Sequence, residues 1–306
     1  MFLTKKYIKK INKKAFTIIE ISILMLVISV MIVGVMTSKS MITKSRLANA
    51  QSLTQQSYVN EISNDLIAWY ETSLEGSFNA SEIKNDGSYI TAWKDSNKTV
   101  VTKNNATVTT PLNTANQPIL VQNVFYNSIP GLRFSGDQYL NFNGTKFAKN
   151  SYTIFLVEQR SSNKSENYFI GGSESGSSVN TYLNFGFGYG TDTTISFTHY
   201  PGESPTFTRS IASYKPQTPI MHTFLFNNTI GKRHSINGGS IATNSDTKTP
   251  ITSFNEAMIG AYNPSGTLKT YVGDLAEIIM FKRSLKTEEI KAIESYLGSK
   301  YGIPVS

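Results

Sequence analysis

The chain has 306 residues, with 29 basic side chains against 21 acidic ones and no cysteine, so no disulfide, thiolate nucleophile or cysteine metal site exists. Three histidines, His199, His222 and His234, stand at no helical i, i+4 spacing from one another, which argues against a histidine-rich metal site and for a core or surface role. Setting aside the six lysines of the first fifteen positions takes the net charge from +8 to +2, so no nucleic-acid partner is expected, and the basic cluster reads as an orientation signal beside an apolar run.

That run, residues 16–36, is 21 residues long with one charge, and at about 1.5 Å per residue it spans roughly 31 Å, the thickness of bilayer hydrocarbon. A secretory signal peptide has a shorter apolar core with its small-residue site on the far side, whereas here Ala15 precedes the run. Glu20 is the one charge inside it. A carboxylate at that depth costs on the order of several kcal/mol unless it meets a partner or reaches the headgroups. Beyond Met36, neither Pro nor Gly occurs up to Glu61, which predicts one helix from about residue 16 to about residue 65, close to 75 Å long.

From Leu66 onward Asn, Ser, Thr, Gly and aromatic residues dominate, and short alternating runs at 152–158, 194–200, 222–226, 257–262 and 274–281 read as strands. Turns such as Asn237-Gly238-Gly239 join them into an antiparallel sandwich. In residues 183–190 aromatics alternate with glycines. A strand there puts Phe185, Phe187 and Tyr189 on a core face and leaves Gly186, Gly188 and Gly190 as a bare face open to a ligand or another backbone. A closing helix has Thr287 as N-cap, Glu288 and Glu289 at its positive end, a stripe of Ile290, Ile293, Leu297 and Tyr301, and Gly302 as its stop. Glycoside hydrolysis needs converging carboxyl groups. No two of the 21 acids lie two apart, and the pairs four apart (Glu61/Asp65, Glu71/Glu75, Glu82/Asp86) sit in weak strand contexts, so no catalytic residue is nominated and no enzyme is expected.

Lys13-Lys14-Ala15-Phe16-Thr17-Ile18-Ile19-Glu20 and the apolar stretch behind it resemble the N-terminus of type IV prepilins and pseudopilins, with Ala15 where that family usually has Gly. The resemblance implies a prepilin peptidase that cleaves between Ala15 and Phe16 and methylates Phe16. It also implies that Glu20 pairs with the N-terminus of a neighbouring pilin-like subunit. Leu66-Ile-Ala-Trp69-Tyr70, Ala92-Trp93-Lys-Asp95, Gly131-Leu-Arg133-Phe, Gly273-Asp274-Leu-Ala-Glu277 and Ser295-Tyr-Leu-Gly-Ser-Lys300-Tyr-Gly-Ile303 are similar to bacterial laminin-G-like, concanavalin A-like lectin domains. That similarity implies a jelly-roll sandwich in which Trp69, Trp93, Asp274 and Glu277 are structural, and a glycan or a surface protein as partner. It allows calcium without nominating ligands, and no other cofactor is expected. The expected organisation is a basic leader at 1–15, a transmembrane and stalk helix at 16–65, and an all-β antiparallel jelly-roll head with a C-terminal helix at 66–306. A bacterial inner-membrane protein follows, single-pass, with its N-terminus cytoplasmic and its head periplasmic or extracellular. It reads as a minor pilin or pseudopilin with an adhesive or glycan-binding head. The alternatives are a membrane-anchored lectin-like protein that never enters a filament and, behind it, a membrane-anchored glycoside hydrolase.

Overall fold

The computed structural model describes residues 17–306 apart from 84, 110–112, 127, 173–183, 201–205, 251–255 and 265. The expected processing positions Ala15 and Phe16 lie outside the described residues. Two compact units divide the chain, residues 1–45 and 46–306.

Helix α1 (Ile18–Gln56) begins in the first unit, where it carries a window long and apolar enough to cross a membrane, none of it buried. Polar side chains within the window are satisfied by the helix itself: Ser22 and Ser29 each donate to the carbonyl four residues back, Ile18 and Met25, at 2.7 Å. The last turns of α1 belong to the second unit. There the helix ends at Gln56 instead of running on to about residue 65, because Ser57 leaves the helical region (φ −61, ψ 142) and starts a 3-10 turn. The Asn60 amide takes up the carbonyls of Thr54, Gln55 and Ser57 at 3.0, 3.1 and 3.2 Å, which satisfies acceptors a helix end leaves unpaired.

Among the described residues two large antiparallel sheets form the head, with a small two-stranded one, Ala261–Tyr262 paired to Lys269–Thr270. The first has nine strands in the order Ile241–Asn244, Gly231–Ile236, Ile220–Asn227, Tyr152–Arg160, Val272–Phe281, Ile129–Ser135, Ile119–Phe125 and Ser88–Tyr89, with Leu66–Glu71 also paired to Val272–Phe281. The second has eight, in the order Thr208–Ser210, Thr194–Tyr200, Asn184–Thr191, Asn167–Gly172, Glu256–Ile259, Leu140–Asn143, Ala106–Thr107 and Ala92–Trp93. All five runs expected as strands are strands. The run at 257–262 is broken at Gly260, whose φ of +86 interrupts the ladder and whose absent Cβ makes room for Phe134.

The central strand Tyr152–Arg160 is buried along its whole length because both of its faces are covered. Tyr152, Ile154 and Leu156 enter the core between the sheets, and Phe155 and Val157 enter a second core beneath helix α2 (Thr287–Tyr301). Trp93 sits in the first core and Trp69 in the second. The N-cap of α2 is Lys286 rather than Thr287: its N–H donates to Glu289 Oε2 at 2.7 Å, and Glu289 also receives two bonds of 2.8 Å from Arg283. The arginine first, then that backbone N–H, hold the Glu289 carboxyl down at about 2. Gly302 ends α2 in the left-handed region at φ 65, as expected of a helix stop.

Candidate functional site

Glu20 closes a reciprocal capping box at the start of α1. Its Oε2 accepts from the Thr17 N–H at 2.8 Å and the Thr17 hydroxyl at 3.0 Å, while Thr17 Oγ1 accepts from the Glu20 N–H at 3.2 Å. The Thr-x-x-Glu spacing at 17–20 was the sequence signal for this role. On the glycine-alternating strand, Phe185, Phe187 and Tyr189 are fully buried between the sheets. The chain itself fills much of the opposite face: a Cβ at Gly186 would meet the Tyr262 ring at 2.9 Å, and one at Gly188 would meet Tyr168 Cα at 2.5 Å. Gly190 faces Thr194 and Ser196 at ordinary contact distance.

Two buried polar clusters assemble from residues far apart in sequence. Under α2, Lys300 Nζ bonds Glu277 Oε2 at 2.8 Å and Glu71 Oε2 at 3.1 Å, with all three side chains fully buried. Glu277 also accepts from Trp69 Nε1 at 2.7 Å and from the hydroxyls of Tyr296 and Tyr301, each at 2.8 Å. The register shift between Leu275 and Glu277 is what turns this carboxylate toward the helix. Burial pushes the Glu71 carboxyl up, but the charge of Lys300 and bonds from Ser73, Ser77 and the Leu74 N–H outweigh it and hold the group below its usual range. Sequence spacing does not bring Glu71 and Glu277 together; the pairing of their strands does. The two are sealed from solvent by α2, so they join the head to its helix rather than face a substrate.

Between the sheets, Glu158 accepts from the hydroxyls of Tyr189 and Tyr271, each at 2.5 Å. A histidine relay leads from it to the edge of the sandwich. Arg209 donates to His234 Nδ1 at 3.2 Å, and because a guanidinium only donates, the ring proton of His234 is on Nε2, 3.1 Å from His222 Nδ1. His222 therefore presents Nε2–H to Glu158 Oε1 at 3.4 Å. Desolvation above all pushes both histidines below their ordinary pKa, as it does His199, which bonds Tyr152 at 2.5 Å and the Lys248 carbonyl at 2.6 Å.

An open groove with a volume of about 680 Å³ lies on the first sheet beside the C-terminal end of α2. Arg133, Gln159 and Asp274 form its floor, and Tyr126 and Tyr214 stand among its lining side chains. Arg133 grips Asp274 with two parallel bonds, Nε to Oδ1 at 2.7 Å and Nη2 to Oδ2 at 3.0 Å, and the carboxylate is 1% exposed. Arg160 bonds Asp192 through its side chain at 3.1 Å and its carbonyl at 3.0 Å, and lies 3.8 Å over the Tyr189 ring. Asn123, Tyr126 and Gln217 line the groove with left-handed backbone, at φ 57, 51 and 52. Non-glycine residues held in that region concentrate where geometry serves a ligand. Asp274 is the groove's sole lining acid, and no cluster of three His, Asp or Glu suited to a metal occurs among the described residues.

Residues 134–291 match the family model described as the concanavalin A-like lectin/glucanases superfamily. No curated protein matches the chain. Among solved structures, Trypanosoma rangeli sialidase in complex with sialic acid is similar at 15% identity and a TM-score of 0.50, over 79% of this chain and 34% of that one. The Ruminococcus gnavus IT-sialidase CBM40 bound to α2,3-sialyllactose is similar at 15% identity and a TM-score of 0.43, over 54% of this chain and 95% of that one. The chain thus spans about a third of the length of the trypanosomal sialidase, and at this identity the likeness is one of fold.

Proposed function

The chain belongs to the concanavalin A-like lectin/glucanases superfamily, and from that premise we propose that its sandwich is a glycan-binding, adhesive head carried on a pilin-like membrane helix. The observation that carries the binding reading is the groove of about 680 Å³, where amide side chains and three tyrosines converge with no second carboxyl group. The same composition supports binding over hydrolysis. The pilin part rests on the leader pattern, on Glu20 and on the unburied apolar window of α1. In that reading the helix spans the inner membrane and packs with other pilin-like subunits, and the capping box holds Glu20 at the helix start ready for a neighbour's ammonium group.

Two measurements on the full chain in detergent test the two parts. A glycan array is expected to show binding that Tyr214→Ala abolishes, and an array without any bound glycan sinks the head reading. Mass spectrometry of the mature N-terminus is expected to find methylated Phe16 in cells that have a prepilin peptidase and an intact leader in cells that lack it. An intact leader in both leaves a membrane-anchored lectin-like protein outside any filament.

A further inference from the structure

Resting on the glycan-binding reading of the groove, we infer that its ligand is a neutral, hydroxyl-rich saccharide and not one recognised through a carboxylate or sulfate. An anionic sugar is selected by positive charge left uncompensated in the site, because an ionised acceptor gains most from an ionised donor. Both guanidinium groups of this groove are already matched. Arg133 spends its fork on Asp274, with two bonds of 2.7 and 3.0 Å to a carboxylate enclosed beneath it. Arg160 is tied to Asp192 at 3.1 Å and stacked 3.8 Å over Tyr189, with its side chain 3% exposed. Arg46, which lies 4.7 Å from the Tyr126 ring centroid, is not a lining residue.

What the groove offers instead is groups that both donate and accept: the amides of Gln122, Asn123, Gln159 and Gln217 and the hydroxyl of Ser161. A sugar hydroxyl is likewise donor and acceptor, so each can answer an amide at both of its ends. A carboxylate only accepts and would leave half of those amide functions without a partner. The left-handed backbone at Asn123 and Gln217 sets the main chain from which two of the four amides project, which lowers the backbone ordering lost on binding. Tyr214 and the exposed part of Tyr126, whose ring Arg46 overlies at 4.7 Å, add apolar surface on which the apolar side of a pyranose packs.

The test uses the full chain in detergent, with matched oligosaccharides that differ only in whether they end in a neutral or a carboxylate-bearing sugar. Affinity is measured by calorimetry at about 0.05 M and about 0.5 M NaCl, conditions that separate ionic from dipolar recognition. Binding of the neutral series, changed less than about twofold by salt, supports the inference. Preference for the acidic series with a steep loss in salt overturns it while leaving the glycan-binding head intact, and failure of both series overturns the head reading as well. Gln217→Gly keeps the backbone conformation and removes one exposed amide. It is expected to weaken the neutral ligand about tenfold with unchanged thermal unfolding; an unchanged affinity places the ligand elsewhere and refutes the assignment.

Discussion

The two faces of the first sheet solve the problem of a buried carboxylate in different ways. Under α2, Glu71 and Glu277 are both kept by a buried cation, Lys300, at 3.1 and 2.8 Å. Between the sheets, Glu158 is kept by hydroxyls of Tyr189 and Tyr271 and by a histidine relay whose members are held neutral by burial. An ion cluster fails when one member is deleted, since the remainder is left as uncompensated charge. A neutral relay fails when a proton is added. Each face has its own reporter, Trp69 on the helix side and Trp93 between the sheets, so fluorescence of the single-tryptophan variants W93F and W69F reads the two separately.

The largest effect is expected from Lys300→Met. It leaves two carboxylates paired across adjacent strands with no cation between them, and should cost about 3–5 kcal/mol in denaturant unfolding. The Trp69 signal should change with it, because Trp69 Nε1 donates to Glu277 at 2.7 Å. A loss below about 1 kcal/mol would mean that the cluster contributes no more than a surface pair.

Acid should act on the other face. His199, His222 and His234 are fully buried with pKa values pushed below 6.5, so below that pH the unfolded chain binds protons that the folded chain refuses. Their contribution is complete above about pH 6.5 and is lost as pH falls toward the depressed folded values. Beside burial, the charges of Arg209 and Arg160 facing the relay, and of Lys232 beside His199, oppose a proton there, while Glu158 favours one on His222 without offsetting the desolvation. Each histidine adds up to about 1.4 kcal/mol per pH unit, so unfolding midpoints should drop steeply from about pH 6.5 to about pH 5, before the carboxylates titrate. His234→Gln should remove about a third of that slope; a flat profile over the range would show that the histidines are not trapped neutral.

The contrast between the faces also explains what the sequence made legible. Alternation revealed the strands, since period-two burial is written locally: the run at 194–200 is the strand Thr194–Tyr200, and the run at 152–158, apolar throughout 154–157, belongs to the strand buried on both faces. The motif segments around Arg133, Asp274, Glu277 and Lys300 could be located, but not that Arg133 holds Asp274 while Lys300 holds Glu277, because those pairs span 141 and 23 residues. The groove has no local motif. Its parts come from the bulged strand around Asn123, from the end of the strand at Arg160 and from the loop at Tyr214. The bare glycine face was visible, but its occupant Tyr262 arrives from a distant strand after the break at Gly260.

The same limit set the misplaced end of α1, and it yields the smallest of the expected effects. Without Gly or Pro between Met36 and Glu61, pattern alone gives no reason to stop at Gln56. The stop comes from Asn60, whose amide reaches back to three carbonyls, and from Ser57, whose hydroxyl accepts from the Val59 N–H at 3.2 Å. Asn60→Ala strands those acceptors in a partly buried position and should cost about 1 kcal/mol of head stability. The last turn of α1 carries Thr54, whose hydroxyl lies 3.1 Å from that of Tyr296, itself bonded to Glu277. The loss should therefore register at Trp69 on the helix side and leave Trp93 unmoved. Equal responses from both tryptophans would mean that the two faces unfold as one cooperative unit, and the division drawn between them would then be chemical but not energetic.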